Sequence, residues 1–282
     1  MIKLLNNQDV DRTRWNALVQ DAIHSDVYAF SWFLDVVCPN WKALVLNDYE
    51  AIFPLPTKRK FCFEYIVQPI LSQRYSIYSK RELSTAEKDE FNKRILQYKS
   101  VRICLSERIS AKDICRKNYT LNLSLPYETI LKSYNENTRR NIQKAKAENI
   151  QCVVLSDKNE ALQELLKVDE NDIYNAYQHQ LQELIQHDCF EAYGAIRDEE
   201  ICAVAFFAKT NTKIYYLFPA SSEIGRQHSA MFLLIDTIIQ TYANTNIHLD
   251  FEGSEIEGIK RFYEGFGGVT EHYYFVNRKY LF

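Results

Sequence analysis

Glycine is scarce in this chain and confined to its later part. The first of seven glycines is Gly194, and five lie between Gly253 and Gly268. A Rossmann fingerprint or a Walker loop is absent, which removes the commonest nucleotide-binding designs. Cysteine pairs are missing too. Cys38, Cys62, Cys104, Cys115, Cys152, Cys189 and Cys202 include no C-x-x-C. An odd, scattered set fits buried thiols in a reducing cytoplasm better than disulfides or zinc. No apolar run approaches a membrane span, and MIKLLNNQDVDRTRW lacks a signal-peptide core. A strong charge of one sign is also lacking. The net charge of −3 hides +5 over residues 1–124 (19 basic, 14 acidic) and −8 over 125–282 (15 basic, 23 acidic). Neither half has the strong basic excess of a dedicated nucleic-acid binder.

What is present is ample core material: 46% hydrophobic residues in 282 positions, enough for two domains of ordinary size. Periodicity predicts a strand near 2–5, helices at 9–22 and 31–38, and a meander from KALVLN (42–47), EAIFPLP (50–56) and FCFEYIV (61–67). A charged helix, TAEKDEFNKRIL, and a strand, VRICLSE, follow. The second half repeats that order. YTLNLS is a strand, LPYETILKSY and ENTRRNIQKAKAEN are helices, and IQCVVLSD is a strand. Helices at 158–168 and 171–187 precede the meander FEAYGAIRD, EICAVAFFAK, TKIYYLFPA. An amphipathic helix, SAMFLLIDTIIQTYA, then leads to a strand (NIHLDFEG), a helix (EIEGIKRFYEGF) and a closing strand. Helices interrupting largely antiparallel strands give an α+β class with two domains, 1–115 and 116–282. Clefts between domains are where small ligands usually bind.

Three stretches draw attention chemically. In NIHLDFEGS, alternation puts His248, Asp250 and Glu252 on one face and Ile247, Leu249 and Phe251 on the other. Carboxylates on a helix-covered face are costly unless it opens onto a cleft, where Glu252 is the first choice as general base. Solvation of an exposed strand explains the same pattern equally well. H-x-D also begins an iron-binding motif, but the helix content speaks against a cupin-like barrel. In ENTRRNIQKAKAEN, Arg139 and Arg140 sit in the first helical turn, where the macrodipole disfavours cations. Either this is an ordinary solvated face, or Arg139, Arg140, Asn141 and Lys144 meet an anionic ligand. In EIEGIKRFYEGF, Ile256, Ile259, Phe262, Tyr263 and Phe266 form the expected buried stripe.

These stretches carry a resemblance. The second half resembles a GCN5-related N-acetyltransferase (GNAT) fold. TRRNIQKA, LDFEGS and IKRFYEGFGG, with QPILSQRYSIYS in the first half, are similar to the tandem-GNAT, FemABX-like acyltransferases. The resemblance implies a cytoplasmic bacterial enzyme moving an acyl or aminoacyl group to an amine, with acyl-CoA or aminoacyl-tRNA as donor. The acceptor would be a small molecule or peptide; no metal, DNA or membrane span is implied. Asp250, Glu252 and Tyr263 would handle protons, Tyr263 matching the tyrosine that protonates a leaving thiolate. The turn Ser221, Arg226, Gln227, His228, Ser229 and Ala230 would hold the donor, although His228 and Ser229 replace glycines that let a phosphate approach. Gln73 and Arg74 would join Arg139, Arg140, Asn141 and Lys144 in binding substrate. The alternative from another class is a GNAT-like scaffold that has lost donor binding and catalysis.

Overall fold

Regular structure begins at Ile2. In the computed structural model, which describes residues 1–170 and 172–279, the first elements are β1 (Ile2–Asn6), α1 (Arg12–Asp21), α2 (Ser31–Val37), β2 (Lys42–Leu46) and β3 (Ala51–Leu55). Next come β4 (Thr57–Lys60), β5 (Phe63–Val67), β6 (Tyr78–Ser79), α3 (Thr85–Leu96) and β7 (Ser100–Leu105). The later elements are β8 (Ile114–Asn122), α4 (Tyr127–Ser133), α5 (Glu136–Ala147), β9 (Gln151–Val154), α6 (Lys158–Val168) and α7 (Gln178–Leu184). The order closes with β10 (Phe190–Arg197), β11 (Glu200–Lys209), β12 (Lys213–Ser221), α8 (Glu223–Gln227), α9 (Ala230–Tyr242), β13 (His248–Asp250), α10 (Glu257–Gly265) and β14 (Val269–Lys279).

The chain divides into two units: Met1–Lys117 with the segment from His272, and Asn118–Glu271. The first unit holds a four-stranded sheet, β1-β2-β3-β6, and the strand run β4-β5-β7-β14. Its expected three-strand meander is therefore split. KALVLN and EAIFPLP pair as β2 and β3, whereas FCFEYIV pairs with β4 and, in parallel, with β7. Pro56, which has no N–H to give a ladder, stands at the break between β3 and β4. Trp15 and Trp41 are fully buried with ring centroids 4.9 Å apart. Their indole N–H groups donate to the Ala29 carbonyl and the Asp35 carboxylate.

The second unit holds β8-β13-β12-β11-β10-β9. The meander β10-β11-β12 is antiparallel as its alternation predicts, and of the α9 stripe expected from spacing Leu234, Ile235, Ile238, Ile239 and Tyr242 are buried while Met231 is half-buried. Two expectations change. The 171–187 helix is shorter, reduced to a 3₁₀ turn at Asn175–Tyr177 and α7; Asn171 lies outside the described residues. On α10 only Tyr263 and Phe266 of the stripe are buried, with Ile256 64% and Ile259 36% exposed. The helix begins at Glu257, so Ile256 caps it from outside and projects beyond the packed turn. The glycine cluster explains how α10 docks. A Cβ on Gly265 would lie 2.3 Å from the Thr138 hydroxyl, and Gly267 adopts φ +83° against Ser133. The Gly265 carbonyl accepts from the Asn135 N–H at 2.9 Å.

All seven cysteines are free thiols, although Cys62 and Cys115 are exposed rather than buried. Among the described residues no helix is long and apolar enough to cross a membrane, and no group of His, Cys, Asp and Glu is arranged to hold a metal ion.

Candidate active site

Strands β12 and β13 run parallel for three residue pairs, ending at Tyr215–Asp250. There β13 stops, while β12 continues to Ser221 against β11 alone. The β11–β12 register shifts between Phe206 and Phe207, which leaves Leu217 as an extra residue on β12. Such a bulge bends and twists its strand, and it falls two residues past the last β13 pair. The two neighbouring strands thus part within the second unit, beyond Tyr215 and Asp250.

The chain leaves β13 under strain. Glu252 has φ +64°, a left-handed conformation that costs a non-glycine residue on the order of 1 kcal/mol or more. Asp250 holds it there. Its carboxylate is 0% exposed and accepts from the Asn118 amide (2.9 Å) and from the Glu252 N–H (3.0 Å), with Lys213 Nζ 3.6 Å away. The Glu252 carbonyl in turn accepts from the Tyr119 N–H at 3.3 Å. The face expected to carry three equivalent ionisable groups is therefore divided: His248 is exposed, Asp250 sealed, Glu252 half-buried.

Tyrosines crowd the same place. Tyr263 on α10 stacks on Phe251 (5.1 Å, 26°) and meets Tyr216 of β12 edge-on (6.4 Å, 90°). Both are buried, at 7% and 5% exposure, and neither hydroxyl makes a hydrogen bond to the described residues. Elsewhere in the unit buried phenols are paired. Tyr127 and Tyr134 both donate to the sealed Asp236 carboxylate, and Tyr119 donates to Glu264. Burial raises the Tyr263 hydroxyl above the ordinary tyrosine value, with Glu252, Tyr174 and Asp250 adding to the effect. Burial, then Tyr263 and Tyr174, does the same for Tyr216. Tyr174 is anchored through its own hydroxyl to the Pro219 carbonyl at 3.1 Å. Tyr216 and Tyr174 were not singled out by sequence reasoning. For Tyr216 the only signal was a Tyr-Tyr pair inside the apolar run KIYYLFPA; Tyr174, in NDIYNAY, had none.

The turn 221–230 is internally committed. Arg226 donates to the Ser221 carbonyl (2.6 Å) and pairs with Glu170, whose other oxygen accepts from the Glu223 N–H (2.6 Å). The chain's own carboxylate thus meets the cation and backbone donor that an incoming pyrophosphate would need. Gln227 pairs with Glu223, and His228 Nδ1 lies 3.4 Å from Glu148, itself bonded to Arg197. Ser229 adopts φ +61° and donates to Asn141 (2.9 Å), and Ala230 is fully buried.

The cationic helix α5 also finds partners. Asn135 caps it through Thr138 N–H, and Arg139 donates to the carbonyls of Leu131 (3.2 Å) and Lys132 (2.9 Å) near the end of α4. A cation at the wrong end of one dipole thereby serves the right end of another. Arg140 bonds the Asn137 side chain, and Lys144 donates to the Gln227 carbonyl at 2.5 Å. Asn141 and Lys144 are thus brought to the 221–230 turn, as Glu252, Asp250 and Tyr263 are brought to one another. Gln73 and Arg74 lie in the first unit, where Arg74 is buried and donates to Gln73 Oε1 at 2.6 Å.

Comparison with known proteins accords with this geometry. Residues 132–261 match the family model described as an acetyltransferase (GNAT) domain. Among solved structures, FemX is similar over 97% of both chains, with TM-score 0.67 and 11% identity. The C-terminal domain of a putative lysylphosphatidylglycerol synthetase from Agrobacterium fabrum matches over 97% of this chain and 93% of that one (TM-score 0.63, 11%). A tandem GNAT protein from the clavulanic acid biosynthesis pathway matches over 98% of both (TM-score 0.51, 9%). No curated protein matches the sequence. The chain has a FemABX-like tandem-GNAT fold.

Proposed function

We propose that the chain transfers an acyl or aminoacyl group from an activated donor to an amine. The observation that carries this reading is the parting of β12 and β13 with a half-buried carboxylate, Glu252, and an unpaired phenol, Tyr263, beside it. An attacking amine must shed a proton, and Glu252 takes it directly or through water. Asp250, sealed and fully engaged, is a positioning residue that fixes the Glu252 turn. The leaving atom needs a proton or a hydrogen bond, which Tyr263 supplies.

Two features favour a donor other than coenzyme A. The 221–230 turn spends Arg226 and the Glu223 N–H on Glu170. Moreover, a thiolate is a weak base that leaves unaided near neutral pH, whereas an alkoxide needs a proton. Tyr263, stacked on Phe251 beside Glu252, can supply that proton. An oxygen ester such as an aminoacyl-tRNA is therefore the donor class, and a small-molecule or peptide amine the acceptor.

The test is a thermal-shift and transfer assay with alanyl-tRNA and acetyl-CoA as donors and glycinamide as the amine. Alanyl-tRNA should raise the melting temperature and yield an alanylated amine. Glu252→Gln should lower that yield by 10²-fold or more, an order-of-magnitude expectation, while leaving the thermal shift intact. If neither donor shifts the melting temperature and no product forms, a non-catalytic scaffold replaces the enzyme.

A further inference from the structure

Among the tyrosines beside the parted strands, Tyr216 is the one without an assigned task. It belongs to β12, the strand that runs on alone after β13 ends, and its ring is fixed between Phe207 (5.6 Å) and Tyr263 (6.4 Å). At 5% exposure a phenol ordinarily finds a protein hydrogen-bond partner; this hydroxyl has none among the described residues and is left to water or a ligand. Phenylalanine would fill the same space without the hydroxyl. Among the tyrosines of the described unit, Tyr263, whose ring meets it edge-on, shares this lack of a protein acceptor; Tyr119, Tyr127, Tyr134, Tyr174, Tyr193 and Tyr242 all spend their hydroxyls on protein acceptors. Two donors without a protein acceptor, on rings 6.4 Å apart beside the parted strands, point to a ligand that brings acceptors.

Resting on the acyl-transfer reading, we propose that the Tyr216 hydroxyl is the hydrogen-bond donor to the acyl oxygen during transfer. In the reaction the amine nitrogen bonds to the acyl carbon as the carbonyl π pair moves onto the oxygen. Tyr216 holds that oxyanion. The carbonyl then re-forms as the bond to the leaving oxygen breaks. One amine proton passes to Glu252, and the leaving oxygen takes the phenolic proton of Tyr263, which the proton on Glu252 restores through solvent. The products are an amide and a free alcohol, with no outside oxidant or metal. A neutral phenol suits the task because it loses no proton in the step, and it is rigidly aimed before charge develops.

The experiment compares Tyr216→Phe with wild type and with Tyr134→Phe, whose hydroxyl is paired to Asp236. Without ligand, Tyr216→Phe should melt at or above the wild-type temperature and Tyr134→Phe below it. With alanyl-tRNA or acetyl-CoA and glycinamide, Tyr216→Phe should lose about 10²-fold in kcat with little change in KM. A Tyr216→Phe melting loss as large as that of Tyr134→Phe shows an internal partner and overturns the assignment, whatever the activity. Unchanged kcat in a stable Tyr216→Phe overturns it while leaving acyl transfer standing. A wild type inert toward both donors removes the reaction and the acyl oxygen together.

Discussion

At Asp250 a carboxylate expected to work on protons is instead walled in. Its Oδ1 serves two donors, the Asn118 amide and the Glu252 N–H, so removing it would strand both inside the protein. Asp250→Ala should therefore destabilise the second unit by about 3 kcal/mol, read from urea unfolding. A loss under about 1 kcal/mol would mean water reaches those groups and the turn is not held as described. Residue by residue, the sequence was informative where geometry is local. Asn149, a residue type that tolerates the left-handed region, follows α5 with φ +54°. It was less informative where a partner comes from afar. The Arg139–Arg140 pair raised the question of an anionic ligand, because nothing in the string says that the α4 carbonyls of Leu131 and Lys132 lie within reach. Tyr216 was invisible for a similar reason, since an unspent hydroxyl is defined by what fails to surround it.

Elements with strong local signals were legible. The capping box of α3 is one: Ser84 accepts from the Glu87 N–H, and the Glu87 carboxylate returns to the Ser84 N–H. Arg81 adds a hydrogen bond to the same carboxylate. With the Ser84 backbone and hydroxyl, it lowers the Glu87 titration from 4.5 to about 2. Because the folded value is depressed, this contribution is complete above about pH 4.5 and fades as the pH falls toward 2. Glu87→Gln should therefore shrink the stability difference between pH 7 and pH 3, measured by urea titration at both. An unchanged difference would show that solvent screens the cluster fully. Elements that switch sheets were not legible. FCFEYIV alternates like its predecessors, and only the pairing to β4 and β7 reveals that it left the first sheet. On α10, helical spacing marked five apolar positions. Period alone cannot tell which end of a stripe is covered, and Ile256 and Ile259 stay exposed.

Over the whole chain, the order of elements was enough to read two α+β halves, while their membership needed coordinates. Strand β14 starts in the second unit and finishes in the first, pairing Tyr274–Lys279 with Leu105–Ser100 of β7. No composition shift marks that return. Ending the chain after Glu271 should leave the first unit with an open β7 edge and unsatisfied ladder groups. Its melting transition should be lost or strongly lowered in circular dichroism. A truncated chain that melts like the full one would show that β14 is dispensable there.

That returning strand also sets a timetable. A ribosome delivers residues 1–117 first, yet the first unit lacks a strand until residue 279 has left the exit tunnel. Of the two units the one begun earlier is thus completed later, and during synthesis its β7 edge waits bare for a partner encoded more than 150 positions downstream.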